Sequence, residues 1–265
     1  ITMKTIYLLC IASILLLASC GLHRTTYIAP IPNTPMFGHD SEAYFNAAVS
    51  PTHFDFQGGL SFTNHIGITA GRFYSGSIRN SSELGINFFT QTKTNICLAT
   101  TFGWGQTKIG NYYTKPFNDR EHTELHVGYN TLFVQPAIYK IISTDNGVVR
   151  VGLSLKYALN NLKEYSYTEY KTNTSTSADL EYERIYTANK QPFRAITPLL
   201  AVEYTRNNIS FGGHLGYSYT SKINAWYKSN DYKIPSQSTQ YGMKRDLYHL
   251  PFILDFYVEL IRFIN

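Results

Sequence analysis

The chain has 265 residues, enough for one domain of ordinary size or one barrel. Only 15% of the residues are charged and the formal net charge is +5, whereas 15% are aromatic, with 22 Tyr and 16 Phe. No cluster of Lys and Arg is interleaved with aromatic residues, which argues against a nucleic-acid-binding groove. This composition instead suits surfaces of which one half is apolar and the other half is exposed to water.

The N-terminal segment has the features of a secretory signal peptide. Met3, taken as the initiator, is followed by a basic residue and an apolar run over 6–18, which is short for a permanent transmembrane helix. The tetrapeptide LASC at 17–20 resembles a lipobox, where bacteria attach a diacylglycerol to the Cys and cleave just before it. We predict a signal peptide over 1–19 and lipidation of Cys20. The alternative is an ordinary signal that is cleaved nearby, with Cys20 incidental.

Residues 20–40 are rich in proline and show no sustained period, which predicts an extended tether between the lipid anchor and the folded domain. Beyond the signal and Cys20, the only cysteine is Cys97. One thiol supports neither a disulfide framework nor a cysteine-based metal site.

Residues 41–265 read as a single β domain, because short segments alternate apolar and polar residues as strands with two different faces do. The alternation predicts an all-β fold of about ten strands, with bounds of 8–12. The clearest strand segments are 54–62, 96–105, 149–157, 209–217 and 252–260, and weaker ones are 42–49, 66–74, 83–91, 129–141 and 194–206.

The connections between these segments alternate in length. Tight polar turns alternate with longer segments, which we read as loops over 75–82, 107–128, 161–193 and 219–246. Short periplasmic turns and long external loops are typical of a transmembrane antiparallel up-and-down barrel. An even strand number returns the C-terminus to the side where the domain begins. We therefore predict an outer-membrane barrel with a periplasmic N-terminus and extracellular long loops.

The polar strand faces carry charges of both signs, which can pair inside a narrow lumen. The predicted lumen network, with a structural role, comprises Asp55, Arg150, Lys156, Glu203, His214, Asp255 and Glu259. Side chains largely fill a barrel of this size, so the prediction is a closed lumen rather than a diffusion pore.

Residues 27–35, 56–62 and 65–68 resemble uncharacterised outer-membrane β-barrel lipoproteins of Bacteroidetes-type bacteria. The resemblance implies a lipid anchor, an outer-membrane location and no catalytic residues. One departure is the C-terminus, where Phe263 is followed by Ile264 and Asn265 instead of ending on an aromatic residue.

The one cluster that suggests a metal is His122-Thr123-Glu124-Leu125-His126, which lacks the order of zinc-protease motifs. We interpret it as part of a solvated loop and predict no metal and no cofactor.

The leading hypothesis is a non-enzymatic outer-membrane lipoprotein with a structural or surface-interaction role. Its Tyr-rich segments 161–193 and 219–246 suit a glycan or protein ligand, since Tyr offers contact area at low entropic cost. One alternative is a periplasmic, lipid-tethered soluble β-barrel that binds a small apolar ligand. A second alternative is a barrel enzyme acting on lipid or peptide, with His214, Asp255 and Glu259 as its acid/base set.

Overall fold

The structure is a computed structural model, and the regular elements of its described residues are all strands. It describes residues 25–28, 36–37, 41–49, 54–75, 79–114, 121–172, 180–188, 190–207, 209–221, 224–231, 240–245, 248–250 and 252–263; from residue 224 onward, only the backbone is described. Within these ranges, no helix is long and apolar enough to cross a membrane.

The described residues form sixteen strands. In chain order they are β1 Thr25–Ile28, β2 Ala43–Val49, β3 Phe54–Ser61, β4 Ile66–Ser75, β5 Arg79–Gln91, β6 Ile96–Thr114, β7 Glu121–Thr144, β8 Gly147–Thr172, β9 Leu180–Thr187, β10 Pro192–Arg206, β11 Ile209–Tyr217, β12 Tyr219–Thr220, β13 Asn224–Asp231, β14 Gln240–Arg245, β15 Tyr248–Leu250 and β16 Phe252–Phe263.

Ten of these strands close into a ring. The order around the ring is β2-β3-β4-β5-β6-β7-β8-β10-β11-β16, and β16 pairs with β2 to complete it. The pairing between β8 and β10 is long, since it runs from the Val148–Thr205 pair to the Asn161–Pro192 pair. Every neighbouring pair in the ring is antiparallel. The prediction of an all-β, up-and-down antiparallel barrel of about ten strands is confirmed.

All ten strand segments that the alternation predicted correspond to ring strands. Four tight turns join them at one end of the barrel, which we call the short-turn end. Asn95 and Asn207 occupy two of these turns with φ of 59° and 50°, a left-handed conformation that Asn tolerates better than most residues. Ala43 and Phe263, the outermost residues of the first and last ring strands, pair at this end.

The predicted long loops are in large part strands. The segment 107–128 continues β6 to Thr114 and β7 from Glu121, and 161–193 contains the upper part of β8 together with β9. Above Asn161, β8 leaves β10 and pairs with β9, which continues the sheet through β13 to β14. We call residues 108–114, 121–130 and 161–172, with β9, β13 and β14, the projecting sheet. The prediction of loops was wrong here.

The tether has two described parts, which lie at opposite ends of the barrel. Thr25–Ile28 pairs with Tyr248–Leu250, immediately before β16 begins at the end opposite the short turns. Met36 and Phe37 are buried at the short-turn end, where Phe37 contacts Tyr44 and Phe89. The sequence analysis predicted a periplasmic N-terminus, on the side of the short turns, whereas residues 25–28 lie at the opposite end of the barrel.

Candidate functional site

The barrel carries its apolar side chains on the outside. Leu153, for example, is 59% exposed, and such residues occur on every ring strand whose side chains are described. They include Phe45, Val49, Phe54, Phe56, Leu60, Ile66, Ile68, Leu84, Ile86, Phe88, Leu98, Phe102, Trp104, Leu132, Ile138, Val151, Leu153, Leu155, Leu159, Ile196, Leu200, Val202, Ile209, Phe211, Leu215 and Tyr217. We call this surface the outer belt. Its position shows that the apolar strand faces point outward, which alternation alone did not determine.

The outer belt has definite upper and lower limits. On β8 it runs from Val149 to Leu159, about 33 Å along the strand and about 25 Å along the barrel axis at a tilt of about 40°. On β10 the exposed Arg194 and Arg206 bound it on either side. This height matches the apolar band of outer-membrane barrels, about 25 Å.

The lumen has the opposite character, since polar and charged side chains line it and pair across neighbouring strands. Ser81 and Thr107 hydroxyls lie 2.7 Å apart. The Asn87 amide donates to the Thr101 hydroxyl at 2.8 Å, and the Thr131 hydroxyl donates to the Asn160 amide oxygen at 2.7 Å. A soluble barrel with an apolar ligand cavity needs these faces reversed, so this arrangement does not support that alternative.

Lys156 and Glu83 form an ion pair across the lumen. The Lys156 Nζ lies 2.7 Å and 2.6 Å from the two Glu83 carboxylate oxygens, and both side chains are buried. β5 and β8 are separated by β6 and β7 in the ring, so the pair spans the interior rather than one hairpin. The ammonium also lies 4.2 Å from the centre of the Phe133 ring. Together these contacts tie two strands of the barrel that are not neighbours in the ring.

A second buried ion pair lies near the short-turn end. Arg150 Nη1 donates to Glu203 Oε1 at 2.8 Å and to the Thr205 hydroxyl at 2.9 Å. Thr205 in turn lies 2.8 Å from the Ser210 hydroxyl. Since Arg150 and Glu203 are paired in register on β8 and β10, this network fastens the strands that close the ring.

The other predicted lumen residues lie on β3, β11 and β16. Asp55 and His214 are buried on β3 and β11. The backbones of Asp255 and Glu259 pair with those of His214 and Ser210, and the side chains of Asp255 and Glu259 lie outside the described ones. The structure thus brings Arg150 and Glu203 together and gives Lys156 a partner that the sequence did not name.

Glu83 and Arg79 are among the charged lumen residues that the sequence analysis missed. Both lie on β5, and both alternate with exposed residues such as Asn80 and Leu84. The alternation predicted over 83–91 continues back along the chain to residue 79, and this continuation was the signal that could have identified both residues. Arg79 is 2% exposed, and its guanidinium lies 5.6 Å from the centre of the Phe73 ring.

Met36 and Phe37 close the short-turn end of the lumen. The Tyr139 hydroxyl donates to the Phe37 carbonyl oxygen, and the Phe37 ring lies beside Gly67, where a Cβ would come within 2.8 Å of it. Cys97 belongs to the same buried apolar cluster. Residues of the predicted tether are therefore part of the folded core, and we call Met36 and Phe37 the tether plug.

The inner face of the projecting sheet is aromatic and apolar. Tyr165, Tyr167 and Tyr186 are buried there together with Leu125, and the Tyr167 and Tyr186 rings lie 5.7 Å apart. The Tyr-rich segment is thus partly a packed core, whereas the sequence interpretation treated it as a loop.

The His122–His126 motif lies on β7 and not in a loop as predicted, and its His122, Glu124 and His126 are on the outer face of the projecting sheet. His126 Nε2 lies 2.8 Å from Glu124 Oε1, and His122 stacks on Tyr170. Both His126 and Glu124 are solvent-accessible. Within the part of the chain that the structure describes, no group of three or more His, Cys, Asp or Glu side chains could hold a metal ion.

Comparisons with known proteins leave the family open. No family model and no curated protein matches the chain. Among solved structures it has a weak similarity to the CymD monoaromatic hydrocarbon channel, with a TM-score of 0.28 and 6% identity over 86% of this chain and 90% of that chain. A TM-score this low carries no argument about function. The resemblance to Bacteroidetes-type lipoproteins stays a prediction.

Proposed function

We propose that this protein is an integral outer-membrane β-barrel with a filled lumen, which holds the projecting sheet at the membrane surface. The observation that carries the proposal is the outer belt, an apolar surface about 25 Å tall on all nine ring strands with described side chains, around a charged, hydrogen-bonded interior. A protein dissolved in water rarely exposes a contiguous apolar surface of this extent. Lipid chains are the surroundings that match it.

Membrane extraction tests this location. We expect the protein to remain with membranes through high-salt and alkaline washes and to leave them only in detergent. A variant that lacks residues 1–20 is expected to need detergent or lipid in order to fold, because the outer belt does not depend on the anchor. A folded, monomeric, detergent-free form of that variant would overturn the proposal.

We further propose that the projecting sheet faces the outside of the cell and the short turns face the periplasm. Lys190 and Asp145 are exposed at opposite ends of the barrel, and Cys97 is buried. A membrane-impermeant maleimide should therefore label Lys190→Cys in intact cells, and label Asp145→Cys only after the outer membrane is permeabilised. The reverse pattern would invert the orientation.

Lipidation of Cys20 is a separate part of the proposal. It rests on the LASC sequence at 17–20, which lies outside the described residues. Mass spectrometry of the mature protein should find a diacylglyceryl modification at Cys20, and Cys20→Ser should abolish it. An unmodified Cys20 in the mature chain would leave the barrel proposal intact and remove the lipoprotein part.

We propose that the role is non-enzymatic and is performed by the projecting sheet, whose ligand is a glycan or a protein. The support is its size: above Asn161, β8 continues to Thr172, about 36 Å along the strand beyond the outer belt. Its packed Tyr residues give the protruding sheet a core, so it presents a shaped surface and not a set of separate loops.

Detergent-solubilised protein and a variant with residues 222–247 replaced by a short polar turn should be compared on an array of glycans and on intact host and bacterial cells. The proposal expects binding by the full protein and its loss in the variant. The variant's barrel should remain folded, since β13 and β14 lie outside the ring. Equal binding by both forms, or none by the full protein, would contradict the surface role.

A further inference from the structure

Arg79 differs from the other two buried cations of the lumen described above. Arg150 and Lys156 each contact a carboxylate oxygen within 2.8 Å. For Arg79, by contrast, the nitrogens Nε, Nη1 and Nη2 are buried and have no hydrogen-bond partner among the residues that the structure describes. A guanidinium carries five N–H donors and stays charged at any physiological pH. An unpaired cation in such a setting is costly, so a partner is expected.

The surroundings of Arg79 restrict what that partner is. Phe73 provides an aromatic face, and Ile109, paired with Arg79 on β6, belongs to the same buried apolar cluster. Lys156 adds a second positive charge that interacts with Arg79, and the carboxylate of Glu83 is already held by Lys156. Among the described residues, Arg79 therefore has an aromatic face and a second cation as neighbours, but no acceptor within hydrogen-bonding distance.

The position of Arg79 indicates the end of the lumen from which a ligand would enter. Its pairing with Ile109 places it above Trp104 and Lys108 on β6, so it lies beyond the upper limit of the outer belt. Ser81 follows two residues later on the same face, and its hydroxyl forms the next polar contact down the lumen. Among the side chains that the structure describes, the guanidinium is therefore the first buried cation met from the end that carries the projecting sheet.

We propose that Arg79 anchors an anion-binding site at the outer end of the lumen, which takes the carboxylate or phosphate group of a small molecule. Both groups offer acceptor oxygens at the spacing of the guanidinium donors, and a bidentate contact would satisfy two of the three nitrogens. The aromatic and aliphatic neighbours favour an anion that carries an apolar body. The inference rests on the lumen geometry alone and does not depend on the surface role.

The test uses the full mature protein in detergent, equilibrated with sodium phosphate or sodium acetate against sodium chloride of equal ionic strength. Ligand that binds the folded state should raise the unfolding temperature in a saturable way, by roughly 5–10 °C at a hundred-fold excess over the dissociation constant. Arg79→Gln should lose this shift. Lys163→Gln, which removes an exposed cation from β8, should keep it. The two arms show whether phosphate or carboxylate is preferred.

A second measurement separates a binding role from a structural one. In chloride buffer, Arg79→Met should unfold at the same temperature as the parent protein or higher, because it removes an unpaired buried charge. Lys156→Met should unfold at a lower temperature, because it strands Glu83. The proposal is overturned if neither anion shifts the parent protein, if Arg79→Gln responds as the parent does, or if Arg79→Met fails to fold.

Discussion

Lys156 and Glu83 show how single residues hold this barrel together. They lie 73 positions apart in sequence and meet only because the ring turns the inner faces of β5 and β8 toward one narrow lumen. Inside the lumen, water competes little for either group, so each depends on the other. Removing one member is expected to destabilise the protein by more than the intact pair stabilises it.

Lys156→Met is expected to destabilise the barrel by about 3–5 kcal/mol, because Glu83 is left as an unpaired buried charge. The measurement is the free energy of unfolding in urea, with the protein folded in lipid vesicles. The double variant Lys156→Met/Glu83→Leu should recover most of the loss, since it leaves no stranded charge. A double variant as unstable as the single one would mean that the pair has a different role.

Gly103 provides a test of packing inside the barrel wall. A Cβ at this position would lie 2.2 Å from Phe133 Cζ and 2.6 Å from the Leu84 carbonyl oxygen, so Gly103→Ala should cost about 1–3 kcal/mol of unfolding free energy. Gly110 on the same strand is the matched control, because its nearest neighbour would lie 3.7 Å away. Equal losses in Gly103→Ala and Gly110→Ala would contradict this packing.

At the residue scale, the sequence predicted which side chains face the lumen better than it predicted which of them form pairs. Alternation indicated that Asp55, Arg150, Lys156 and Glu203 share the polar faces, because a strand places every second residue on one side. It did not indicate that Glu83 is the partner of Lys156, since that contact depends on the number of strands between them and on how the ring closes.

The tether plug shows, at the scale of elements, how a short segment outside the ring completes it. Phe37 is fully buried against Tyr44, Phe89 and Gly67, and the Tyr139 hydroxyl holds its carbonyl. These contacts join the residues before β2 to β4, β5 and β7. The plug therefore stabilises the short-turn end and fills it.

Phe37→Ala is expected to lower the free energy of unfolding by about 3–5 kcal/mol, as the loss of a fully buried Phe side chain typically does. Tyr139→Phe is the companion variant. It removes one hydrogen bond to the same residue and should cost only about 1 kcal/mol. Urea titration in vesicles measures both, and a Phe37→Ala loss no larger than that of Tyr139→Phe would show that the plug is dispensable.

The elements that the sequence missed have physical reasons. The register between β7 and β8 shifts near Gly128: Gly128 pairs with Glu164, whereas Tyr129 pairs with Leu162. The alternation along β8 therefore slips by one residue at this point. Above that shift Tyr165 and Tyr167 are the buried residues of β8 and polar residues alternate with them, so the segment reads as a polar loop. The plug was missed because its proline-rich neighbourhood has no period and its contacts are distant in sequence.

At the scale of the whole molecule, the filled lumen has a consequence for transport. The Lys156–Glu83 pair lies inside the lumen, the tether plug fills the short-turn end, and buried apolar side chains such as Phe73 and Tyr129 line the outer end beside Arg79. In a planar lipid bilayer the protein is expected to show no steady ionic conductance, as suits a barrel of about ten strands with a filled interior. A stable open channel under low voltage would contradict a closed lumen.

The central claim is that the outer belt faces lipid, and Trp104 reports on it directly because its side chain is 45% exposed on that belt. In a Trp226→Phe variant, Trp104 is the only tryptophan. Its fluorescence should fall strongly in vesicles of lipids brominated on the acyl chains, compared with unbrominated vesicles, and should resist quenching by aqueous iodide. Strong iodide quenching with no effect of the brominated lipids would contradict the membrane barrel.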